Sequence, residues 1–443
     1  MAPIHKSFAL SSPALAFAND TKVYISLVIG HTQGGKVLRY VSLTIPALCV
    51  AIVWGQTRPA IAQFYTQHNL VSDGAASADC VDPNLVDGWG IAAGPTSPWW
   101  ISDAGTGKTS LYSVDAVSAA PPCPAFTAFA VPGAGVQSAP TGVVRNDGTG
   151  FVVNNGVAGS PSAAGFILGS ADGTISAYRG DPLVVVVNNS ATAAYTGLAI
   201  VTGTATGDFL YAANFRAGTV DVFDTTFTQI NSTLSADAFT DPSIPAGYAP
   251  FGIQNLGGVI YVTYALKDSS GKEVPGEGHG FVNVFDTSGK LLYRVASKGR
   301  LNSPWGLALV PFLDEDADPE EVRPYAGFFN GALLIGNMGD GKINAFDPTQ
   351  HAQGEYVDRG PLLGVNGKPI VIEKLRALAF GTDSSAGGKW NTLFFTAGSA
   401  DGAHGLFGSL VETVGDKRGA LEIRAGQAGE NLTQAIKGGA GRP

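Results

Sequence analysis

Short apolar segments alternate with glycine-rich turns along most of this chain. In Gly218–Asp224 and Gly280–Asp286, apolar and polar residues alternate directly behind a glycine turn. Alternation with a period of two after such a turn is typical of one strand of a β-hairpin. The pattern therefore predicts an all-β chain built from many short strands.

One strand type recurs six times and opens on a large or hydroxyl side chain followed by a small residue. Its glycines, at positions 90, 142, 197, 252 and 306, are almost evenly spaced, and a sixth copy carries Ala377 after a longer interval. Six copies of a three- to four-strand unit predict a six-bladed β-propeller. Residues 63–70 have strand character, and we assign them to the outer edge of the last blade, where they would close the ring. The strand-opening residues are Trp89, Thr141, Thr196, Phe251, Trp305 and Arg376.

A second strand in each unit ends in small or polar residues, as in Trp99–Asp103, Phe151–Asn155, Phe209–Asn214 and Leu333–Asn337. Equivalent strand ends would meet at one rim of the ring. Carboxylate and amide oxygens suit a hard cation, and calcium fits such a set. We therefore predict a candidate ligand or cation site at Asp103, Asn154, Asn214, Asn337 and Asp340. The alternative is that these side chains bond their own backbone in turns.

Trp89 and Trp305 are candidate ligand-binding surfaces, with packing between blades as the alternative. The composition narrows the class of partner: the chain has 443 residues, 45% of them hydrophobic, and a formal net charge of −9. No cluster of Lys and Arg stands out, so nucleic acid is not expected as a partner. The partner left open is a small molecule, a glycan or a protein.

The N-terminal region has the pattern of a secretory signal. Lys36 and Arg39 precede an apolar run over 41–55, and Ala60-Ile61-Ala62 follows. This order predicts cleavage after Ala62 and a secreted or periplasmic location, with an uncleaved anchor as the alternative. The expected division is an extension and signal at 1–62, the propeller at 63–425 and a flexible tail at 426–443. No segment beyond Gln63 is expected to span a membrane.

Two cysteines, Cys80 and Cys123, remain beyond the predicted cleavage point. An even pair in an exported protein predicts one disulfide, with two separate buried thiols as the alternative.

The stretches 82–92 (DPNLVDGWGIA) and 94–107 (GPTSPWWISDAGTG) resemble an uncharacterised family of exported bacterial proteins. That resemblance implies a propeller related to the NHL-repeat and gluconolactonase-type superfamily. The lactonases of that superfamily hold a divalent metal partly through an Asn at the strand-opening position. None of the six strand-opening residues here is Asn, which weighs against carrying over the lactonase mechanism.

These observations favour an extracytoplasmic propeller that acts as a binding or interaction module. The alternative is a metal-assisted lactone or ester hydrolase with its site at the mouth of the central channel. Whether the protein is an enzyme stays open from the sequence.

Overall fold

The computed structural model describes residues 63–119, 122–135, 138–204, 207–311, 329, 331–348 and 355–413. The predicted signal segment at 1–62 and the predicted tail at 426–443 lie outside these residues. The described chain begins with two strands, β1 (Phe64–Ser72) and β2 (Cys80–Val81). Six further groups of strands follow in chain order, and each forms one blade around a central axis.

The first three blades are simple antiparallel sheets. Blade 1 contains β3 (Gly88–Ala92), β4 (Trp99–Asp103), β5 (Lys108–Tyr112), the helix α1 (Val114–Ser118) and β6 (Thr127–Ala130). Blade 2 contains β7 (Pro140–Arg145), an inserted hairpin of β8 (Val152–Val153) and β9 (Ser162–Ala163), then β10 (Phe166–Ser170), β11 (Thr174–Tyr178) and β12 (Val184–Asn188). Blade 3 contains β13 (Tyr195–Val201), β14 (Phe209–Asn214) and β15 (Thr219–Phe223), and a 3-10 helix (Asn231–Thr233) follows it.

The last three blades repeat this order. Blade 4 contains β16 (Tyr248–Leu256), β17 (Val259–Leu266), β18 (Gly280–Phe285) and β19 (Leu291–Ser297). Blade 5 contains β20 (Pro304–Leu309), β21 (Leu333–Asn337), β22 (Ile343–Asp347) and β23 (Val357–Pro361), with β24 (Leu363–Gly364) after it. Blade 6 contains β25 (Leu375–Phe380), β26 (Leu393–Ala397), the short helical turn α2 (Ser399–Gly402) and β27 (Leu406–Thr413).

The N-terminal strand closes the ring. β1 pairs antiparallel with β27, with Phe64 opposite Thr413 and Ser72 opposite Leu406, and β2 adds to its outer side. Blade 6 therefore combines strands from both ends of the described chain. The predicted six-bladed propeller and its closing strand are both confirmed.

Six hydrophobic clusters of the described residues lie at the interfaces between neighbouring blades, and a seventh surrounds Phe251 and Met338. At the interface of blades 1 and 2, Trp100 stacks on Phe166 with ring centroids 4.3 Å apart. At the interface of blades 6 and 1, Tyr112 stacks on Phe407 at 5.7 Å. Each sheet presents apolar side chains on both faces, so a blade buries them only when it lies between two others.

The disulfide is confirmed: Cys80 and Cys123 are bonded, with their Cα atoms 5.7 Å apart. Cys80 lies in β2 at the edge of blade 6, and Cys123 follows α1 in blade 1. The bond therefore links the closing strand pair to the neighbouring blade.

One predicted strand is wrong. The second strand of blade 2 is β10, not Phe151–Asn155, and it pairs with β7 and β11. Phe151 has a left-handed backbone (φ 56°) and is fully buried, and the two residues after it pair only within the β8–β9 hairpin. Two apolar segments, Phe151–Asn155 and Phe166–Ser170, follow β7 in the sequence, and the second of them forms the second strand of the blade. Among the helices of the described residues, none is long and apolar enough to cross a membrane.

Candidate functional site

The strand-opening residue of every innermost strand lies at an irregularity of the sheet. In each blade the pairing register between the first and second strands shifts at this position. The strand-opening residue therefore has no regular partner in the second strand. A bulge re-aims a side chain relative to the rest of its strand. Four of the six side chains meet, because Trp89 contacts Phe251, Trp305 and Arg376.

The small residue after each bulge is explained by how closely the inner strands approach. A Cβ on Gly142 would lie 2.4 Å from the amide nitrogen of Leu198 in blade 3, and one on Gly252 would lie 2.2 Å from the carbonyl oxygen of Trp305 in blade 5. These contacts are with backbone, which cannot swing aside. The repeated glycine is therefore required because adjacent inner strands pack backbone against backbone.

Hydroxyl groups bridge neighbouring blades at the same level. Thr141 Oγ1 donates to the carbonyl oxygen of Tyr195 at 2.6 Å, and Thr196 Oγ1 donates to that of Phe251 at 2.7 Å. Each bond joins a strand-opening residue to the next blade in the ring. Two of the six positions thus hold the ring together rather than face a ligand.

Aromatic side chains close one end of the channel. Trp89 meets Phe251 edge to face at 6.2 Å and Trp305 at 5.9 Å between ring centroids. Trp305 Nε1 donates to the carbonyl oxygen of Thr196 at 2.9 Å. This hydrogen bond links the indole of blade 5 to the backbone of blade 3. We call Trp89, Phe251 and Trp305 the aromatic plug.

A buried cation supports the plug. The guanidinium of Arg376 lies 4.3 Å from the Trp89 ring centroid, and its Nη2 is 3.2 Å from Asp87 Oδ1. Asp87 Oδ2 in turn accepts from Trp89 Nε1 at 2.9 Å. Burial lowers the pKa of Arg376, and the negative charge of Asp87 opposes that shift. The pair fixes the orientation of Trp89, because its ring and its N–H are both held.

The other end of the channel contains a cavity of about 310 Å³. Its wall is formed mainly by aliphatic side chains of the inner strands, and Trp305 of the aromatic plug also lines it. The aliphatic residues are Ile91, Val143, Leu198, Ile253 and Leu378. The size is at the lower end of the range for small-molecule sites, which run from about 300 to 1,000 Å³. We call this space the channel cavity.

Polar groups of the channel cavity lie where the inner strands end. Arg145 is the last residue of β7, and Gln254 lies near the end of β16. Arg145 Nε contacts Asp147 Oδ1 at 2.5 Å, and its side chain is 32% exposed. The cavity therefore combines aliphatic side chains with polar groups, which also include the side chains of Asn255 and Thr382.

The predicted strand-end residues lie elsewhere: Asp103, Asn214 and Asn337 are the last residues of second strands, and Asp340 lies in the turn after Asn337. Asp103 is fully buried and accepts from Ser110 Oγ at 2.6 Å. Burial raises the pKa of the Asp103 carboxyl well above its ordinary range, the Ser110 hydrogen bond opposes this, and the charge of Asp82 adds to it. No other described group bonds its Oδ1. Asp103 is held within blade 1 and does not line the channel cavity.

Asn214 and Asn337 bond their own blades. Asn214 Nδ2 donates to Asp221 Oδ2 at 3.0 Å, and its Oδ1 accepts backbone N–H groups of Ala194 and Ala217. Asn337 Nδ2 donates to Asp340 Oδ1 at 3.0 Å, and the second Asp340 oxygen pairs with Lys342 at 3.0 Å. These contacts follow the turn pattern in which Asn and Asp satisfy nearby backbone.

Asn154 does not occupy the position equivalent to Asp103. It is exposed and follows β8 in the inserted hairpin, where its Oδ1 accepts from Ser160 Oγ at 3.1 Å. The equivalent end of the second strand in blade 2 is Ser170. Within the described ranges, no three His, Cys, Asp or Glu side chains group to hold a metal ion.

No family model matches the chain. Among curated proteins, it is 34% identical to the uncharacterized protein R648 of Acanthamoeba polyphaga mimivirus, over 77% of this chain and 79% of that protein. It is 31% identical to the uncharacterized protein L690 of the same virus, over 80% of this chain and 87% of that protein. The chain belongs to the family of these viral proteins. These relatives do not support the bacterial restriction that the sequence resemblance implied.

Solved propeller structures are less similar to this chain in sequence. The structure of streptogramin B lyase is 12% identical with a TM-score of 0.43, and covers 79% of this chain and 98% of its own. A glucose dehydrogenase structure is 12% identical with a TM-score of 0.40, and covers 78% and 98%.

Sequence reasoning missed the channel cavity, because it examined where the inner strands begin and not where they end. Arg145 lies three residues after the repeat glycine of blade 2, Gly142. Gln254 lies two residues after that of blade 4, Gly252. In blades 1 and 3 the residues at the position of Arg145 are Ala93 and Ile200, and those at the position of Gln254 are Ala92 and Ala199. A signal was present: two polar side chains ending strands that are otherwise apolar.

Proposed function

We propose that the protein is an exported binding module that takes a small, mainly aliphatic ligand into the channel cavity. The observation that carries this proposal is a channel closed at one end by the aromatic plug and lined at the other by aliphatic side chains. A concave apolar site with a few polar groups is the usual form of a small-molecule site. Burial of the ligand's apolar surface would supply most of the affinity.

Binding is favoured over metal-assisted hydrolysis of a lactone or ester. The described residues that line the channel cavity include no carboxylate, imidazole or thiol that would serve as a general base or nucleophile. The oxygens of Asn214 and Asn337 are already bonded to neighbouring N–H groups, which reduces their capacity to ligate calcium. A hydrolase would need both functions at one place.

Export is the second part of the proposal. It rests on the signal-like order of residues 36–62 and on the Cys80–Cys123 disulfide, a bond that persists in oxidising compartments. Cleavage after Ala62 would leave Gln63 at the start of the closing strand. Mass spectrometry of the protein recovered from its producing cells tests this, and a mature species that retains Lys36 would contradict it.

Ligand binding is tested with a series of straight-chain primary alcohols from butanol to octanol, titrated calorimetrically into the full chain. Each added CH₂ should raise the affinity about fourfold until the channel cavity is filled. Ala93 lines the cavity, so Ala93→Phe should abolish the dependence on chain length. Ala217→Phe places the same side chain on an exposed turn of blade 3 and should leave binding unchanged.

A result without saturable binding, or with equal binding to wild type and Ala93→Phe, would contradict the channel proposal. Circular dichroism of both variants ensures that a loss of binding is not a loss of fold.

A further inference from the structure

The charge at Arg145 is compensated, but its hydrogen-bonding capacity is not used up. Asp147 contacts the Nε edge of the guanidinium, and within the described residues neither Nη atom has an acceptor. A guanidinium carries five N–H donors, so the Nη edge remains free to donate. The Arg145–Asp147 pair has no net charge, and the chain as a whole is negative at −9. An anionic ligand therefore gains little electrostatic attraction at this site.

The absence of a side chain at residue 94 lets Arg145 occupy its position. A Cβ on Gly94 would lie 1.4 Å from Arg145 Nη1, so any other residue would displace the guanidinium. Gly94 does not have a positive φ, and no conformational demand explains it. The glycine is needed for space alone.

Gln254 supplies a second unused polar group. Its half-buried side chain lines the channel cavity, and none of its amide atoms is hydrogen-bonded within the described part of the chain. A primary amide both donates and accepts. Together, Arg145 offers donors without net charge, and Gln254 offers one acceptor and further donors.

We propose that the ligand class is a small aliphatic carboxamide, with its alkyl part in the channel cavity and its neutral amide head bonded by Arg145 and Gln254. The carbonyl oxygen accepts from the Nη edge, and the amide N–H donates to the Gln254 oxygen. This inference rests on the proposed binding function and adds the chemical class of the head group. The cavity volume, about ten times that of a water molecule in the liquid, limits the ligand to roughly ten non-hydrogen atoms.

The test compares hexanamide with hexanoate, two ligands of equal length that differ in charge, by calorimetric titration of the full chain at pH 7. Hexanamide should bind at least tenfold more tightly than hexanoate. Asp147→Asn exposes the Arg145 charge and should reverse this preference, since a carboxylate then meets an uncompensated guanidinium. Asp358→Asn is the matched control, because Asp358 makes a similar pair with Arg300 at 2.9 Å on the outermost strand of blade 5.

Equal or tighter binding of hexanoate to the wild type overturns the carboxamide class, while alcohol binding that depends on chain length would leave the channel function intact. An unchanged preference in Asp147→Asn also overturns it. If alcohols and hexanamide both fail to bind, the channel function and the ligand class fall together. Gln254→Leu should lower the ratio of hexanamide affinity to hexanol affinity about tenfold, and an unchanged ratio would contradict the role of Gln254.

Discussion

Trp305 and Thr196 are joined across the channel although they are 109 residues apart and belong to blades 5 and 3. The bulge between Tyr195 and Gly197 leaves Thr196 outside the regular ladder, and the indole N–H supplies a donor for its carbonyl oxygen. One irregularity of a strand is thus satisfied by the side chain that closes the channel.

Trp305→Phe should keep the aromatic packing and remove this hydrogen bond. The Thr196 carbonyl then loses its partner in a buried setting, which should lower the free energy of unfolding by about 1–3 kcal/mol. Urea titration followed by circular dichroism measures the change. An unfolding midpoint equal to that of the wild type would show that the bond is not stabilising.

Gly142→Ala should destabilise the ring by about 3 kcal/mol, because the new Cβ would collide with the backbone of Leu198. The control is Gly165→Ala, where the nearest atom would lie 3.9 Å away and φ is not left-handed. Urea midpoints of the two variants should differ clearly. Equal stability would mean that the inner strands can separate without cost.

Arg376→Met should lower the free energy of unfolding by about 3–5 kcal/mol, because it leaves Asp87 without its buried partner. Adding Asp87→Asn should recover part of the loss, and Asn tolerates the left-handed backbone at this position (φ 49°). A double-mutant cycle measures the coupling. Strict additivity of the two losses would argue against an interaction between these side chains.

Glu412 makes stability depend on pH. Burial raises the pKa of its carboxyl from 4.5 to about 7, and the hydrogen bond from Gln63 Nε2, at 3.0 Å, opposes the shift. A raised folded-state pKa stabilises fully below pH 4.5, and that stability is lost as the pH rises through 7.

The loss attributable to Glu412 should be about 1–2 kcal/mol after allowance for partial solvent screening. It is obtained from urea titrations at several pH values as the difference between wild type and Glu412→Gln. Glu355→Gln, at an exposed position, is the control and should keep the wild-type pH profile. Parallel profiles for wild type and Glu412→Gln would refute the assignment.

Removal of the Cys80–Cys123 bond in a double Ser variant should cost about 4 kcal/mol, since the bond closes a loop of 43 residues in the unfolded chain. Thermal and urea unfolding of the variant, compared with the wild type under oxidising and reducing conditions, measure this. A reductant should destabilise the wild type and leave the variant unaffected.

The sequence was sufficient to predict the propeller because the same packing demand acts in successive blades and leaves a repeat at regular spacing. The glycine after the bulge is demanded by the neighbouring backbone, so it recurs in five of the six blades, with Ala377 in the sixth, and can be counted. The opposite holds for the aromatic plug, whose members come from blades 1, 4 and 5 and meet only after the ring has closed. The contacts of Trp89 with Phe251 and Trp305 therefore cannot be predicted from residue spacing in the sequence.

The candidate site illustrates the same difference. Asn154 was placed at a strand end because Phe151–Asn155 is apolar and then polar, but the strand position in blade 2 is taken by Phe166–Ser170. Asp103, Asn214 and Asn337 do end second strands, yet each bonds a residue of the third strand or of the turn before it, and a sequence pattern does not distinguish this from a ligand site. The sequence did not indicate a role for Arg145 because the repeated element of blade 2 ends at Val144.

The pairing of Phe64 with Thr413 decides how the ring would respond to mechanical force. Tension applied between these two residues separates β1 from β27 one residue pair at a time, starting at Phe64 and Thr413. This unzipping geometry resists force less than shearing, in which all pairs of a strand must break together. Peeling could detach all of β1 but would stop at Cys80 in β2, because the disulfide anchors that point to blade 1. The disulfide thus limits how much of the chain can be peeled from the ring when force acts on its end.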